Sequence, residues 1–282
     1  MELRLKAIKI INRIPVNLIL MPMHRCNLRC VYCYARSWSS PYTKLMSKQI
    51  LDKTLTLYAE YLDEYKFNTQ VLIHGYEPLQ YGHERMEYIF NYLRGARTGK
   101  SLEIAVQTNG TLIDDDYVSI FKKYKIDISI SIDGPKYIHD ELRSGSYDRA
   151  IEGFRLVKDA GLAVGIISVI TKLHMGKARE YYSWLKEHEI TSAFAHPLIK
   201  IKDSPWLKKY YVSPSEALQF YIDLYEIWKK DTTRISLRPF TTFISTIVLR
   251  KPTICTFQSQ CYQWISVDPN GDVWLCSGDK SL

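Results

Sequence analysis

Val16-Asn17-Leu18-Ile19-Leu20-Met21-Pro22-Met23-His24-Arg25-Cys26-Asn27-Leu28-Arg29-Cys30-Val31-Tyr32-Cys33 decides how the rest of the chain is read. Its first six residues form a short run that is apolar except at Asn17, the pattern of a buried strand. Pro22 interrupts the run, and three cysteines follow in C-x3-C-x2-C spacing, so a buried strand feeds directly into a loop of thiols. Structural zinc asks for four ligands, and no fourth cysteine lies nearby; His24, two residues ahead of Cys26, is the local candidate. Three thiolates on one loop suit a four-iron cubane whose fourth iron stays open to a small molecule.

Outward from this loop the chain alternates between two periodicities. Residues 47–65 carry Ile50, Leu51, Leu55, Tyr58 and Leu62 at helical spacing behind Ser47, a natural N-cap. Strands are expected at 70–74, 102–107, 126–132, 163–170 and 191–197, and helices at 85–97, 114–124, 147–160, 177–188 and 213–230. Residues 126–132 alternate Ile with Asp or Ser, which puts one face in the core and leaves a polar face for a cavity. Asp114, Asp115 and Asp116 open a helix, where carboxylates cap and meet the dipole. Ser213 and Pro214 mark the start of the last helix in the same way. Alternating strands and helices predict a parallel sheet, and six such units predict an α/β fold of partial (β/α)6 barrel type.

Composition agrees with a folded chain long enough to bury a sizeable core. Of 282 residues, 46% are hydrophobic and 24% charged, which excludes a disordered polymer. Residues 16–23 are too short to span a bilayer, and the basic, amphipathic segment 1–13 lacks the apolar core and cleavage site of a secretion signal. A cytoplasmic location with no membrane partner is therefore expected, where thiols stay reduced and clustered cysteines bind metal or do redox work. The net charge of +8 is diffuse. Its densest part, Lys200, Lys202, Lys208 and Lys209 among Trp206, Tyr210 and Tyr211, reads either as a solvated loop or as a surface for acidic peptide or RNA phosphates.

Ligands of parallel α/β folds bind at the carboxyl ends of strands, and those ends are heavily punctuated here. The second strand is followed by His74-Gly75-Tyr76-Glu77-Pro78-Leu79 and the third by Gln107-Thr108-Asn109-Gly110-Thr111-Leu112. The fourth runs into Ser131-Ile132-Asp133-Gly134-Pro135, with His139, Asp140 and Arg143 soon after. Each could be a turn alone, but three at successive strand ends would converge on one pocket.

Together with the cysteine triad, these motifs resemble the radical S-adenosylmethionine (SAM) peptide and protein maturases that carry a SPASM or twitch extension. That group includes the anaerobic sulfatase maturases and the maturases that crosslink ribosomal peptides, and the resemblance covers residues 16–278. It implies that Cys26, Cys30 and Cys33 hold a catalytic [4Fe–4S] cluster, with Tyr32 filling the aromatic position before the third cysteine. SAM would chelate the open iron. The resemblance assigns Glu77, beside Gly75, to the SAM amino group, Asn109 and Ser131 to its ribose and methionyl portions, and Arg143 to its carboxylate. The family usually has a second Gly where this chain has Tyr76. The implied reaction is reductive cleavage of SAM to a 5′-deoxyadenosyl radical, which takes hydrogen from a peptide or protein substrate. The electron would come from a donor such as a flavodoxin or ferredoxin.

Cys255, Cys261 and Cys276 form a second group around a hairpin whose turn is Asp268-Pro269-Asn270-Gly271. A zinc hairpin is one explanation. The resemblance implies a possible auxiliary [4Fe–4S] cluster whose fourth ligand would lie beyond Leu282, in a missing C-terminal piece. The expected division is residues 1–235 for the barrel and 236–282 for an incomplete cluster-binding segment. Sulfatase maturases place an Asp base after the cysteine equivalent to Cys276, where this chain has Ser277, so a crosslinking peptide maturase is expected instead. The alternatives are a radical SAM enzyme acting on RNA or a small molecule, nucleic acid being the less expected partner, and a non-catalytic zinc-binding interaction protein.

Overall fold

The computed structural model describes residues 16–33, 44–66, 68–96, 101–198, 208–232, 235–250 and 263–275. Among the described residues nine strands make one sheet in the order β7-β6-β5-β4-β3-β2-β1-β8-β9. The first seven are β1 (Asn17–Leu20), β2 (Thr69–Ile73), β3 (Leu102–Thr108), β4 (Asp127–Ser131), β5 (Val164–Ile170), β6 (Ser192–Pro197) and β7 (Ser236–Arg238). Each pairs in parallel with the next, so all their carboxyl ends lie on one rim. The hairpin strand β8 (Trp264–Val267) lies parallel to β1 on its other side, and β9 (Val273–Leu275) returns antiparallel to β8. The sheet runs from β7 at one edge to β9 at the other without closing, which is a partial barrel.

Helices α1 (Lys48–Tyr65), α2 (His83–Gly95), α3 (Asp115–Tyr124), α4 (Lys136–Leu142), α5 (Tyr147–Asp159), α6 (Ala178–Glu187), α7 (Pro214–Trp228) and α8 (Phe240–Leu249) connect the strands. The caps form as their residue types dictate. Ser47 accepts from Ile50 N, Asp114 from Tyr117 N, and Ser213 with Glu216 closes a capping box. The apolar stripe Leu51, Leu55, Tyr58 and Leu62 of α1 is buried against Leu18, Val71 and Ile73 of the sheet. Alternation sorts the strands: Ile128 and Ile130 of β4 belong to the helix-covered core, while Ser129 and Ser131 take the other face.

Three elements carried no sequence expectation. The helix α4 hides behind the turn-like Gly134-Pro135, β7 has only three residues, and the β-branched run of α8 gives no helical signal. No helix among the described residues is long and apolar enough to cross a membrane.

A second, smaller core positions the site. Ile138 and Leu142 of α4 meet Val169 of β5, Leu198 and Tyr210, and Val31 and Tyr32 of the cysteine loop pack against them. The loop is therefore anchored by apolar contact to the element that carries Arg143.

Candidate active site

The cysteine loop lies at the carboxyl end of β1 and is stitched on two sides. Toward α4, Val31 N donates to Leu142 O (2.9 Å) and Arg29 N to Ser144 Oγ (3.1 Å). Toward β3, Asn109 Nδ2 donates to Asn27 Oδ1 and Asn27 Nδ2 to Thr111 Oγ1, each at 2.8 Å. Asn109 Nδ2 also comes within 3.9 Å of Cys26 Sγ. Cys33 N closes a turn on Cys30 O (3.2 Å), and Leu28 N points at Cys26 Sγ (3.4 Å). Cys26, Cys30 and Cys33 are all free thiols.

Their environment favours a cationic partner. Burial pushes the Cys26 thiol up to about 12 and the Cys30 thiol above its ordinary value, so thiolates there need positive charge beside them. Arg143 Nη1, 4.0 Å from Cys30 Sγ, supplies part of that charge, and a bound iron cluster would supply the rest. Among the described residues no group of three His, Cys, Asp or Glu side chains is arranged for a single metal ion, so the fit to a cluster rests on the donor set and its surroundings.

Glu77 is wholly buried. Its Oε1 accepts from Thr108 Oγ1 (2.7 Å) and Leu79 N (3.1 Å), and its Oε2 from Asn109 N (2.7 Å). The carboxylate thus clamps the end of β2 to the end of β3, and a ligand amine would have to share oxygens already engaged by the chain. Burial, opposed by these three bonds, raises its pKa to about 7.

Gly75 precedes it at φ 93°, where a Cβ would stand 2.8 Å from Met21 Cγ. Glycine is required there twice over, by conformation and by space. Tyr76 also has positive φ, 53°, which the glycine usual in the resembled family would adopt without cost, and its ring leans on His24 at 5.1 Å.

Ser131, buried at the end of β4, stands two residues before Asp133. Asp133 is the residue whose role the sequence left unread. Its Oδ2 accepts from Arg143 Nε (2.9 Å) and Tyr32 Oη (2.5 Å), and its Oδ1 from Val169 N (3.0 Å). The guanidinium also lies over the Tyr32 ring, 5.4 Å from its centroid. Burial alone would raise the Asp133 pKa, but the Arg143 charge overrides it and holds the carboxyl below its ordinary value; Asp133 in turn raises that of Arg143. The one sequence signal was the spacing of Asp133, His139 and Arg143 within a motif. The structure brings Tyr32, Arg143 and Cys30 close to one another, and Asn109 close to Cys26.

Cys255, Cys261, Cys276 and Ser277 lie outside the described residues, as do Lys200, Lys202 and Trp206. Of the basic cluster that is described, Lys209 pairs with Glu141 at 2.6 Å and Tyr210 is in the small core. A cavity of about 320 Å³ lies elsewhere, between α1 and the β8–β9 hairpin, lined by Leu18, Ile50, Tyr58, Ile265 and Val273 on the helix-covered side of the sheet. The chemistry-bearing groups are at the strand ends, and the site is placed there.

Residues 20–185 match the model of the radical SAM superfamily. The chain belongs to that superfamily. It is a radical SAM enzyme of a family that works with a [4Fe–4S] cluster and SAM, and the donor set at Cys26, Cys30 and Cys33 fits such a cluster. It is 27% identical to the serine-type anaerobic sulfatase-maturating enzyme of Bacteroides thetaiotaomicron, over 89% of this chain and 66% of that protein. It is equally identical to the cysteine-type enzyme of Clostridium perfringens, over 93% of this chain and 74% of that one. The chain thus spans about two thirds to three quarters of these relatives' length. Among solved structures, anSMEcpe with bound AdoMet and Kp18Cys peptide superposes with a TM-score of 0.84 at 25% identity, covering 93% of this chain and 74% of that one. Streptococcus suis SuiB bound to precursor peptide SuiA shares the fold, with a TM-score of 0.68 at 18% identity over 96% of this chain and 62% of that one.

Proposed function

We propose that this enzyme cleaves SAM reductively and uses the resulting radical to modify a peptide or protein, in the manner of a peptide maturase. The observation that carries the proposal is the convergence of the three-cysteine loop, the Glu77 clamp and the Asp133–Arg143 pair at one rim of the sheet. The peptide substrate is supported by the names of the relatives, which are sulfatase-maturating enzymes, one of them with a peptide bound. When bound, the reduced cluster supplies the electron that breaks the C5′–S bond of SAM. The residues of this chain do the placing. Cys26, Cys30 and Cys33 hold the cluster, Arg143 offers its remaining N–H groups to the SAM carboxylate, and Asn109 and Ser131 line the approach. Glu77 keeps two strand ends at a fixed separation.

Cys255, Cys261 and Cys276 are proposed as ligands of an auxiliary [4Fe–4S] cluster in a segment beginning near residue 236, and a flavodoxin or ferredoxin as the electron source. Ser277, where sulfatase maturases have an Asp, favours crosslink formation in a ribosomal peptide over oxidation of a sulfatase residue.

The test is anaerobic reconstitution followed by assay of 5′-deoxyadenosine with candidate peptides and mass spectrometry of the product. Peptide-stimulated cleavage, with a product lighter by the hydrogens lost in a crosslink, is expected. Stimulation by RNA instead of peptide would overturn the substrate class. Cys30→Ala abolishes cleavage, and retained cleavage would refute the assignment of the cluster loop.

A further inference from the structure

Every polar atom of Asp133 is engaged, by partners from α4, the cysteine loop, β5 and the turn that follows β5. Its carboxylate takes Arg143 from the end of α4, Tyr32 from the cysteine loop and Val169 N from β5. Its backbone N–H donates to His139 Nδ1 (3.3 Å), and its carbonyl accepts from His174 Nε2 (2.7 Å).

The two imidazoles have consistent wiring. His139 Nδ1 accepts from Asp133, so its Nε2 carries the proton toward Ser146 Oγ (3.0 Å), which in turn donates to Arg143 O (2.7 Å). His174 Nδ1 accepts from Thr171 N (3.0 Å), leaving Nε2–H for the Asp133 carbonyl. Arg143 is thereby held at both ends, its carbonyl through Ser146 and His139 and its Nε through Asp133.

While Nε faces Asp133, Nη1 of Arg143 reaches the cysteine loop, 4.0 Å from Cys30 Sγ. A guanidinium has five N–H groups in a fixed fork, so fixing Nε fixes the direction of the other four.

We propose that Asp133, assisted by the Tyr32 hydroxyl, is the positioning residue for the amino-acid end of SAM, aiming the Arg143 fork at the SAM carboxylate. The inference rests on the proposed assignment of Arg143 to the SAM carboxylate and not on the peptide substrate, so it is tested without any peptide. Asp133 touches no ligand in this scheme; it acts through Arg143.

The experiment compares two probes bound to the anaerobically reconstituted protein. SAM carries the amino-acid end, and 5′-methylthioadenosine has only the nucleoside and a thioether. Asp133→Asn keeps the shape and still accepts from Val169 N, but it presents an amide to Arg143 Nε–H, two donors facing each other. The expected result is about a tenfold or greater loss of SAM affinity with 5′-methylthioadenosine unchanged within about twofold. Tyr32→Phe leaves the Asp133–Arg143 pair and removes one bond, and it is expected to cost SAM about threefold, again without effect on 5′-methylthioadenosine. Equal loss for both probes means that Asp133 merely holds the fold together and overturns the proposal, as does unchanged SAM affinity. If Asp133→Asn does not fold, Tyr32→Phe decides by the same criterion: a loss confined to SAM supports the proposal, and an equal loss or none overturns it.

Discussion

Two wholly buried carboxylates flank the cysteine loop, and they behave in opposite ways. Glu77, on the β2–β3 side, is met by a hydroxyl and two backbone N–H groups, all neutral, and its pKa climbs to about 7. Asp133, on the β4–β5 side, is met by a hydroxyl, one backbone N–H and a guanidinium, and its pKa falls below the ordinary value. Donor counts are the same, so the difference is the charge of one partner. At Glu77 the neutral donors soften the loss of hydration without reversing it, whereas at Asp133 the adjacent Arg143 cation reverses it. One flank of the site therefore carries a carboxyl that can be neutral near physiological pH, and the other a fixed ion pair.

Arg143→Met breaks this contrast most strongly. It leaves Asp133 buried with the same kind of neutral company that Glu77 has, and removing one partner of a buried pair costs about 3–5 kcal/mol. The variant should also acquire a new pH dependence. An Asp133 carboxyl whose folded pKa has risen above its unfolded value favours folding at low pH and loses that contribution as pH rises through the folded pKa. Chemical denaturation at several pH values checks this: the destabilisation should be greater at neutral than at acid pH. A deficit independent of pH would mean that Asp133 does not depend on Arg143 to stay ionised.

Glu77 gives the next effect. Its pKa rises from the ordinary 4.5 to about 7 in the folded protein. The folded state therefore holds its proton more tightly than the unfolded chain between those values, and stability falls as pH rises across that window, by about 3 kcal/mol in all. Glu77→Gln removes the titration, so its stability should be flatter over the same range. It should also lie below that of the parent at the acid end, because one amide N–H₂ now faces Asn109 N. A parent whose stability is level from about pH 4.5 to about pH 7 would contradict this.

The sheet and most of its helices were legible from periodicity and caps, because strands such as Asp127–Ser131 and helices such as Lys48–Tyr65 satisfy local and global demands together. What escaped notice was decided at longer range. Phe240–Leu249 folds as a helix against β7 despite its β-branched residues, with Phe240 packed on Tyr225 and Trp228 of α7. In the site, the three cysteines, Glu77 and Arg143 stood out through spacing and the resemblance it supported. Asp133 did not, because Asp-Gly-Pro is an adequate turn on its own. Nothing local tells that its carboxylate closes on a guanidinium ten positions later and a tyrosine 101 positions earlier. The resemblance likewise assigned Glu77 to a ligand amine without showing that both its oxygens accept from neighbouring strand ends.

The smallest effect concerns the residue beside Glu77. Tyr76 has φ 53°, a left-handed conformation that costs an L side chain about 1–2 kcal/mol, whereas glycine enters it freely. Replacing Tyr76 by glycine removes that strain together with the ring contact to His24, two effects of similar size and opposite sign. A single substitution would therefore report their difference and reveal neither. Tyr76→Gly and Tyr76→Ala taken together separate them, because both lose the ring and only alanine keeps a Cβ. The glycine variant should be more stable than the alanine variant by about 1 kcal/mol, less the backbone entropy that glycine loses on folding. Thermal unfolding of the pair measures it. An alanine variant at least as stable as the glycine one would mean that this turn imposes no left-handed backbone.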